Sequence, residues 1–265
     1  MTSFERQQRL LGLLRTEPGL RVPEMAERLC VSDGTIRNDL AALTHLKLVM
    51  RVHGGAVVND AGTASAFFVH SSTFADRLRQ NQAAKESIGV QAGNLIADGD
   101  AILLDASSTV FHLAQSLKNR RNLRVVTNCL ETAQLLAQNP THSVMLVGGI
   151  LRAGMVSVIG PWSEQLLSEL CTRLAFVSCS GFTPEGGMTE VDVFEAQFRL
   201  KAIQCAGQVI GLADSTKFGK VDLTQSLRPE QIDHLYTDSK LEVEWQERLV
   251  KAGIPFTLCN VKNNL

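Results

Sequence analysis

The chain has 265 residues, of which 45% are hydrophobic and 20% charged, so it is long and apolar enough to bury one or two cores and lacks the composition of a disordered protein. Its formal net charge of −1 excludes a polycation that binds nucleic acid through bulk electrostatics. No stretch approaches the roughly 18 uninterrupted apolar residues of a membrane span, and the charged N-terminus is unlike a signal peptide, which predicts a cytoplasmic protein with no membrane partner.

Apolar residues at helical spacing predict three helices near the start of the chain, over 3–15, from Pro23 to about residue 29, and over 33–45, where Ser32 is a suitable N-cap. Two short helices joined by a three-residue turn are typical of a helix-turn-helix, whose second helix enters the DNA major groove. The apolar residues that define the three helices are Leu10, Leu11, Leu14, Met25, Ala26, Leu29, Ile36, Leu40 and Leu43.

The third helix carries polar residues on the face away from this apolar row. Arg37 can bond guanine in a fork, Asn38 can pair with adenine, and Thr35 can reach a phosphate or a thymine methyl group. Asp33 would repel phosphate, so we expect it to cap the helix. A solvated helix surface explains Arg37 and Asn38 equally well when this face is considered alone.

Residues 48–52 and 56–58 predict two short strands around a glycine turn, which is a wing placed directly after the third helix. Arg51 and His53 at its tip are expected to lie along the phosphates or the minor groove and to position the protein on DNA. A winged helix-turn-helix domain is therefore predicted over 1–58, with a DNA-binding set of Ser32, Thr35, Arg37, Asn38, Arg51, His53, Gly54 and Gly55.

The motifs VSDGTIRNDL at 31–40 and RVHGGA at 51–56 resemble the DNA-binding signature of the DeoR family of bacterial transcriptional regulators. The family signature reads VS-x-x-TIRRDL followed by R-x-HGGA, so Asn38 stands where the family usually has a second arginine. The resemblance implies a regulator that binds a double-stranded DNA operator.

Residues 59–73 are rich in small and polar side chains without periodicity and predict a linker. Beyond it, over 74–265, short apolar runs alternate with helix-length segments, which predicts an α/β domain with a doubly wound, mainly parallel sheet. The runs are 102–104, 124–126, 144–147, 175–177, 209–212 and 234–236, and two of the helical segments are 109–116 and 130–139.

Polar or glycine residues follow most of these runs, at the strand ends where open α/β sheets bind ligands. Residues 107–109 are at the start of a helix and are expected to hold a phosphate, with Lys217 as its counter-charge. Asp105 or Glu195 is expected to accept hydrogen bonds from sugar hydroxyls. Each residue taken singly has a plain structural explanation as a helix cap, a turn or an exposed lysine. The candidates are Asp105, Ser107, Ser108, Thr109, Thr127, Asn128, Gly148, Gly149, Gly181, Glu195, Asp214 and Lys217.

This domain also resembles the DeoR family, through DASST at 105–109, TN at 127–128, GG at 148–149, GMT at 187–189, EAQFR at 195–199 and ADSTKFG at 213–219. The resemblance adds Arg199 to the candidates and implies a fold like ribose-phosphate isomerase or CoA transferase, with a phosphorylated sugar or related metabolite as effector. Ser107 replaces the usual glycine. Phe74, Arg77, Asn81 and Lys85 resemble the family's segment leading into its sensor domain, although a purely structural helix explains them equally well.

The sequence therefore predicts a homodimeric or homotetrameric repressor of carbohydrate-metabolism genes, without cofactor or metal. The six cysteines form no C-x-x-C pair and are expected to be small buried hydrophobes. The alternative is a sugar-phosphate isomerase, which needs a base beside the sugar; Asp105, Glu190, Glu195 and Asp214 are the candidates, and no spacing singles one out.

Overall fold

A computed structural model describes residues 3–17, 20–45, 49–52, 55–58, 73–152 and 154–261. Contacts between Cα atoms divide the chain into two units, 1–69 and 70–265. Of the predicted linker only Thr73 is among the described residues, so the boundaries of 1–58, 59–73 and 74–265 stay predictions. None of the described helices combines the length and the apolar surface that a bilayer crossing requires.

The first unit contains helices α1 (Ser3–Thr16), α2 (Val22–Leu29) and α3 (Asp33–His45), then an antiparallel hairpin of β1 (Val49–Val52) and β2 (Gly55–Val58). The predicted helices and hairpin are confirmed. Their shared core consists of Leu10, Leu14, Leu20, Met25, Ala26, Leu29, Ile36, Leu40, Leu43, Val49 and Ala56.

Hydrogen bonds at the helix ends explain the bounds of α2 and α3. The backbone N–H of Arg21 donates to Glu24 at 2.7 Å at the start of α2, and Cys30 ends this helix in the left-handed conformation with φ of 54°. Ser32 Oγ accepts the backbone N–H of Thr35 at 3.2 Å, so Ser32 caps α3 as predicted. The expectation that Asp33 caps α3 is wrong, because Asp33 is already the first residue of the helix.

The second unit has seven α-helices and twelve strands among the described residues. The helices are α4 (Phe74–Arg79), α5 (Gln82–Gly93), α6 (Ser108–Ser116), α7 (Leu130–Leu136), α8 (Pro161–Leu167), α9 (Val193–Ala202) and α10 (Val243–Lys251). The strands are β3 (Ala101–Leu104), β4 (Arg124–Thr127), β5 (Ser143–Leu146), β6 (Ile150–Leu151), β7 (Val158–Ile159), β8 (Thr172–Ser178), β9 (Gly181–Thr183), β10 (Gly187–Glu190), β11 (Ala206–Leu212), β12 (Thr224–Leu227), β13 (His234–Asp238) and β14 (Phe256–Cys259).

Seven strands form one sheet in the order β14-β13-β11-β8-β3-β4-β5, and every pairing within it is parallel. Alternate side chains of β3 separate its two faces: Ile102 and Leu104 pack with residues of α5, α6 and α7, whereas Leu103 packs with residues of α8 and α9. Val209 and Leu235 pack with Leu249 of α10. Both faces are thus covered, and the predicted doubly wound, mainly parallel sheet is confirmed.

The strand order reverses its direction between β3 and β8. From β3 the chain continues outward through β4 to β5, and from β8 it continues the other way through β11 and β13 to β14. Open α/β sheets bind ligands outside the carboxyl ends of the strands at such a reversal. The fold therefore places the expected ligand site at the ends of β3 and β8.

Shorter strands accompany the main sheet, as an antiparallel hairpin of β6 and β7 and a three-stranded sheet in the order β12-β10-β9. The sequence analysis predicted none of these five strands, nor the edge strand β14. The prediction that all six cysteines are buried is confirmed for Cys129, Cys179 and Cys259. It is wrong for Cys30 and Cys171, which are exposed, and for Cys205, which is half-buried.

Candidate functional site

Helix α3 buries one face and exposes the other. Ile36, Leu40 and Leu43 are at most 2% exposed, whereas Arg37 and Asn38 lie on the solvent side. The Arg37 side chain is 65% exposed, and its guanidinium lies 3.9 Å from the Asp33 carboxylate, one helical turn earlier. Such a long surface ion pair is weak, so Arg37 can leave Asp33 for another acceptor at little cost.

A buried carboxylate fixes α3 against α1. Asp39 is 4% exposed and accepts hydrogen bonds from Arg6 Nε at 2.5 Å, Arg6 Nη2 at 3.2 Å and Gln7 Nε2 at 3.1 Å. Bonds to an ionised group are stronger than neutral ones. The orientation of the exposed face of α3 therefore depends on α1 as well as on the apolar core.

The wing is described in part. Gly55 pairs with Val52 in the hairpin, forms an isolated bridge with Arg21 and is buried, so it belongs to the interior of this unit and not to an exposed tip. Arg51 lies in β1 and is described through its backbone alone. His53 and Gly54, also expected to contact DNA, lie outside the described residues.

A cleft opens at the carboxyl ends of β3 and β8, where the strand order reverses. Its empty space, counted out into the open solvent at its mouth, is about 520 Å³. Loops after β3, β8 and β11, the region before β7, the end of β10, and helices α4 and α9 all contribute side chains. The lining consists of Arg77, Ala106, Ser107, Ser108, Thr109, Met155, Val156, Ser157, Ser178, Cys179, Ser180, Glu190, Glu195, Arg199 and Lys217.

Arg199 on α9 is the centre of a buried charge network at this cleft. Its Nε donates to Asp105 at 2.7 Å, and its Nη1 lies 2.6 Å from Glu190. Although burial alone would lower the pKa of Arg199, Glu190 and Asp105 raise it above its usual value. Asp105 also accepts the backbone N–H of Ser107 and that of Ser178, each at 3.0 Å. The network thus ties the loops after β3 and β8 to α9.

Glu195 is a second buried carboxylate in the wall. Its carboxylate accepts the Ser157 hydroxyl and lies 3.7 Å from Arg152, whose guanidinium is 2.6 Å from Asp192. Burial raises the pKa of Glu195 above its ordinary value, and Arg199 and Ser157 oppose that rise. The group therefore suits hydrogen bonding to neutral hydroxyls better than contact with an anion.

The cleft also offers hydroxyls, backbone N–H groups and cations. Ser107 caps α6 by accepting the Val110 N–H at 3.2 Å, and the first-turn N–H groups of Ser108 and Thr109 have no carbonyl four residues earlier within that helix. Arg77 and Lys217 face the same space. A helix start flanked by two cations is suited to an anionic group.

Two family models match this chain. The DeoR-like helix-turn-helix domain matches residues 6–61, and the DeoR C-terminal sensor domain matches residues 80–239. The second match alone spans more than half of the chain. The chain belongs to the DeoR family.

The sequence similarity to two curated relatives extends over nearly the whole of this chain and of theirs. The HTH-type transcriptional regulator GolR of Listeria innocua is 35% identical over 96% of this chain and 98% of its own. The glycerol-3-phosphate regulon repressor of Escherichia coli is 27% identical over 98% of this chain and all of its own. This DeoR-family chain is therefore a DNA-binding transcriptional regulator. A solved structure of ribose 5-phosphate isomerase A from Neisseria gonorrhoeae aligns with 54% of this chain and 55% of its own, at 12% identity and a TM-score of 0.40.

The structure gathers about half of the expected effector residues of this DeoR-family sensor at one cleft. Six of them line it, and Asp105 lies directly behind the lining, bonded to Arg199. The residues that line it are Ser107, Ser108, Thr109, Glu195, Arg199 and Lys217. Those that do not are Thr127, Asn128, Gly148, Gly149, Gly181 and Asp214.

Strand order explains why the second group lies elsewhere. The loops after β4 and β5 stand one and two strands outward from the reversal point, so Thr127, Asn128 and the two glycines end away from the cleft. Thr127 Oγ1 instead accepts the backbone N–H of Cys129 at 3.1 Å. Asp214 caps the turn at Ser215–Lys217 by accepting the Thr216 N–H at 3.1 Å.

Close backbone packing accounts for two of the glycines. A Cβ on Gly149 would lie 2.5 Å from the carbonyl oxygen of Ile159, and one on Gly181 would lie 2.5 Å from the carbonyl oxygen of Lys220. Neither close approach involves the cleft. These glycines allow one stretch of chain to touch another, a role that the sequence pattern does not distinguish from ligand contact.

The sequence analysis did not place several lining residues in the effector site. Ser157 was not singled out, and of the polar loop at 178–181 only Gly181 was a candidate, although Ser178 and Ser180 line the cleft. Glu190 was considered only as an isomerase base. Ser157 precedes β7 and Glu190 ends β10, two short strands that were not predicted. Arg77 was noted only as part of the family-like segment at 74–85, a signal that a structural helix explained equally well.

Proposed function

We propose that this regulator represses genes of carbohydrate metabolism and leaves its operator when a phosphorylated sugar or related metabolite binds the cleft. The supporting observation is the position of the cleft at the reversal of strand order, combined with a lining that includes both cations and carboxylates. The start of α6 with Arg77 and Lys217 suits the phosphate, and Glu190 and Glu195 suit hydroxyls. The name of the glycerol-3-phosphate regulon repressor supports an effector of this class.

On the DNA side we propose that α3 lies in the major groove, with Arg37 and Asn38 against base edges and the wing against phosphates. One such unit buries too little DNA surface for strong specificity, so we propose a homodimer or homotetramer that binds paired half-sites in the bacterial cytoplasm. Effector control requires that the metabolite bind the DNA-competent and DNA-incompetent states with unequal affinity.

The second candidate function, a sugar-phosphate isomerase, is favoured by one observation. Glu195 is a cleft carboxylate whose pKa is raised by burial, as in many general bases. Three features favour a sensor instead: Asp214 lies outside the cleft, and Asp105 and Glu190 are both held by Arg199. An isomerase would also have no use for the helix-turn-helix unit. We therefore propose that the protein is not an enzyme.

A ligand panel tests the proposed effector class. The full chain is melted with glycerol 3-phosphate, ribose 5-phosphate, fructose 6-phosphate and galactose 6-phosphate, and with the same compounds lacking phosphate. We expect at least one phosphorylated member to raise the Tm by about 5 to 10 °C near 100 times its Kd. The Ser108→Ala, Thr109→Ala double variant should lose most of this shift. Isomerised product at a useful rate would support the enzyme, and larger shifts with the unphosphorylated compounds would contradict the proposed phosphate cradle.

A further inference from the structure

We propose that residues 73–85, called here the entry segment, report occupancy of the cleft to the linker that precedes them, and that Asn81 and Lys85 are the positioning residues of this response. The proposal rests on the proposed function, because it assumes an effector in the cleft. The entry segment comprises Thr73, α4, the joint at Gln80 and Asn81, and the first turn of α5. It begins at Thr73, the last residue of the predicted linker, and contains α4, the first described helix of the second unit.

The entry segment itself contributes to the effector cleft. Arg77 on α4 lines the cleft, with its guanidinium carbon 5.6 Å from the centre of the Phe74 ring, and burial lowers its pKa. Phe74 forms a cluster with Ala106 and Val156, two further lining residues. A ligand that contacts Arg77 therefore acts directly on the element that continues into the linker.

Asn81 ties the entry segment to the loop that carries Lys217. Its side-chain nitrogen donates to Asp214 Oδ1 at 3.1 Å and to Thr216 Oγ1 at 3.0 Å. Its backbone has φ of 53°, in the left-handed region where asparagine and glycine are the favoured residues. The joint between α4 and α5 therefore keeps a fixed bend. The Asn81 side chain is bonded to the loop at 214–217, so a movement of that loop acts on the joint.

Lys85 ties the entry segment to the loop at the start of α6. It is 3% exposed, and its Nζ donates to Ser108 Oγ at 3.0 Å and to the carbonyl oxygen of Arg77. Burial lowers the pKa of Lys85 to about 8, with Asp214 opposing and Lys217 and Arg77 assisting the effect. His112 on α6 makes a further contact, from Nε2 to the carbonyl oxygen of Leu78 at 3.2 Å.

The entry segment is therefore bonded to two loops that both contribute residues to one cleft, the loop at 105–109 and the loop at 214–217. A phosphate seated between Ser108, Lys217 and Arg77 pulls on both loops and on α4 at once. Because Asn81 and Lys85 join these parts by side-chain hydrogen bonds, they convert a shift of either loop into a shift of α4. Coupling needs such a physically connected element whose position both sites influence.

The test separates effector binding from effector response in the full chain. A DNA duplex is first selected from a random-sequence library by the parent protein. Its Kd is then measured by anisotropy with and without saturating amounts of each phosphorylated compound of the panel, and the ratio of the two values is the coupling factor.

Asn81→Gly removes both side-chain bonds and keeps a residue that tolerates the left-handed backbone. Lys85→Met is the second variant, and Gln82→Ala is the control, since the Gln82 side chain donates to Glu86 on the exposed side of α5.

We expect a parent coupling factor of ten or more for at least one compound, retained by Gln82→Ala. In Asn81→Gly and Lys85→Met the factor should fall below about two, with DNA affinity in the absence of compound within twofold of the parent and calorimetric Kd for that compound within about fivefold. Folded variants that keep the parent factor would overturn the role of the entry segment, as would loss of compound binding itself. A parent that binds DNA but responds to no compound would refute the proposed effector class instead.

Discussion

Arg37 and Asn38 are the side chains by which α3 would distinguish one base pair from another. Both project from the exposed face of the helix, near its N-terminal end, which is the end that helix-turn-helix proteins direct at base edges. A guanidinium offers five donors in a rigid fork, and the Arg37 side chain is 65% exposed, with a long ion pair to Asp33. Its chemistry and its exposure together suit it to reading guanine.

Arg37→Ala should weaken binding to the selected operator by about 1 to 3 kcal/mol, which is about 5- to 150-fold in Kd. The loss should be largest on the preferred duplex and small on unrelated sequences, because base contacts carry specificity and phosphate contacts do not. Anisotropy titrations on both duplexes measure it, and binding of phosphorylated compounds should be unchanged.

Arg28→Ala is the matched control for this change, since Arg28 is a cation of the same unit whose guanidinium already donates to Glu17. It removes one positive charge without touching α3. If both variants lost affinity equally on both duplexes, Arg37 would act as a general counter-charge and our placement of α3 would be wrong.

The residue types in the cleft were easier to predict from the sequence than the residues with which they form hydrogen bonds and ion pairs. The sequence marks Asp105, Glu195 and Arg199 as polar groups beside strand or helix ends, and all three meet at one site. It cannot show that Arg199 bonds to Asp105, because those two residues are 94 positions apart. Which carboxylate is neutralised by a cation and which faces a ligand depends on such distant pairs.

At the scale of elements, the local spacing of apolar residues was sufficient to predict the helices and strands of the first unit. It was not sufficient to predict how the strands of the second unit are arranged. The helices α1 to α3 and the hairpin follow from apolar periodicity, one proline and one cap over about sixty residues. The position of each loop in a parallel sheet depends on which strands are neighbours, and local spacing along the sequence does not predict that strand order. Five loops were expected at one cleft, whereas those after β4 and β5 lie outward from it.

The short strands escaped prediction for a related reason. β6 and β7 have two residues each, and β10 and β12 contain polar residues that show no clear alternation. Such segments become strands because a neighbouring segment pairs with them. Glu190 and Ser157 were missed as effector candidates along with the strands that position them.

Adjacent glycines between β5 and β6 give a test at this scale. Gly149→Ala should destabilise the second unit by about 1 to 3 kcal/mol, because its Cβ would lie 2.5 Å from the carbonyl oxygen of Ile159. Gly148→Ala is the control and should change stability by no more than about 0.5 kcal/mol, since nothing lies within 4 Å of its Cβ position. Denaturant unfolding of the full chain measures both. Equal effects, or loss of effector binding without loss of stability, would favour ligand contact at Gly149.

The whole molecule unites two units whose chemistry differs. The first has an exposed polar helix face on a small apolar core, and the second has a cleft at the reversal of strand order in a seven-stranded sheet. DeoR-family membership makes the chain a DNA-binding regulator. We propose that each unit binds one ligand and that the chain connecting the units couples the two binding events, so that each ligand changes the affinity for the other by the same factor.

The most direct test of that claim measures operator affinity while a phosphorylated compound is titrated into the full-length protein. The account predicts that at least one member of the panel raises the Kd for the selected duplex tenfold or more, and that its unphosphorylated counterpart at the same concentration does not. The same Kd with every phosphorylated compound, or equal release by the unphosphorylated sugars, would contradict it.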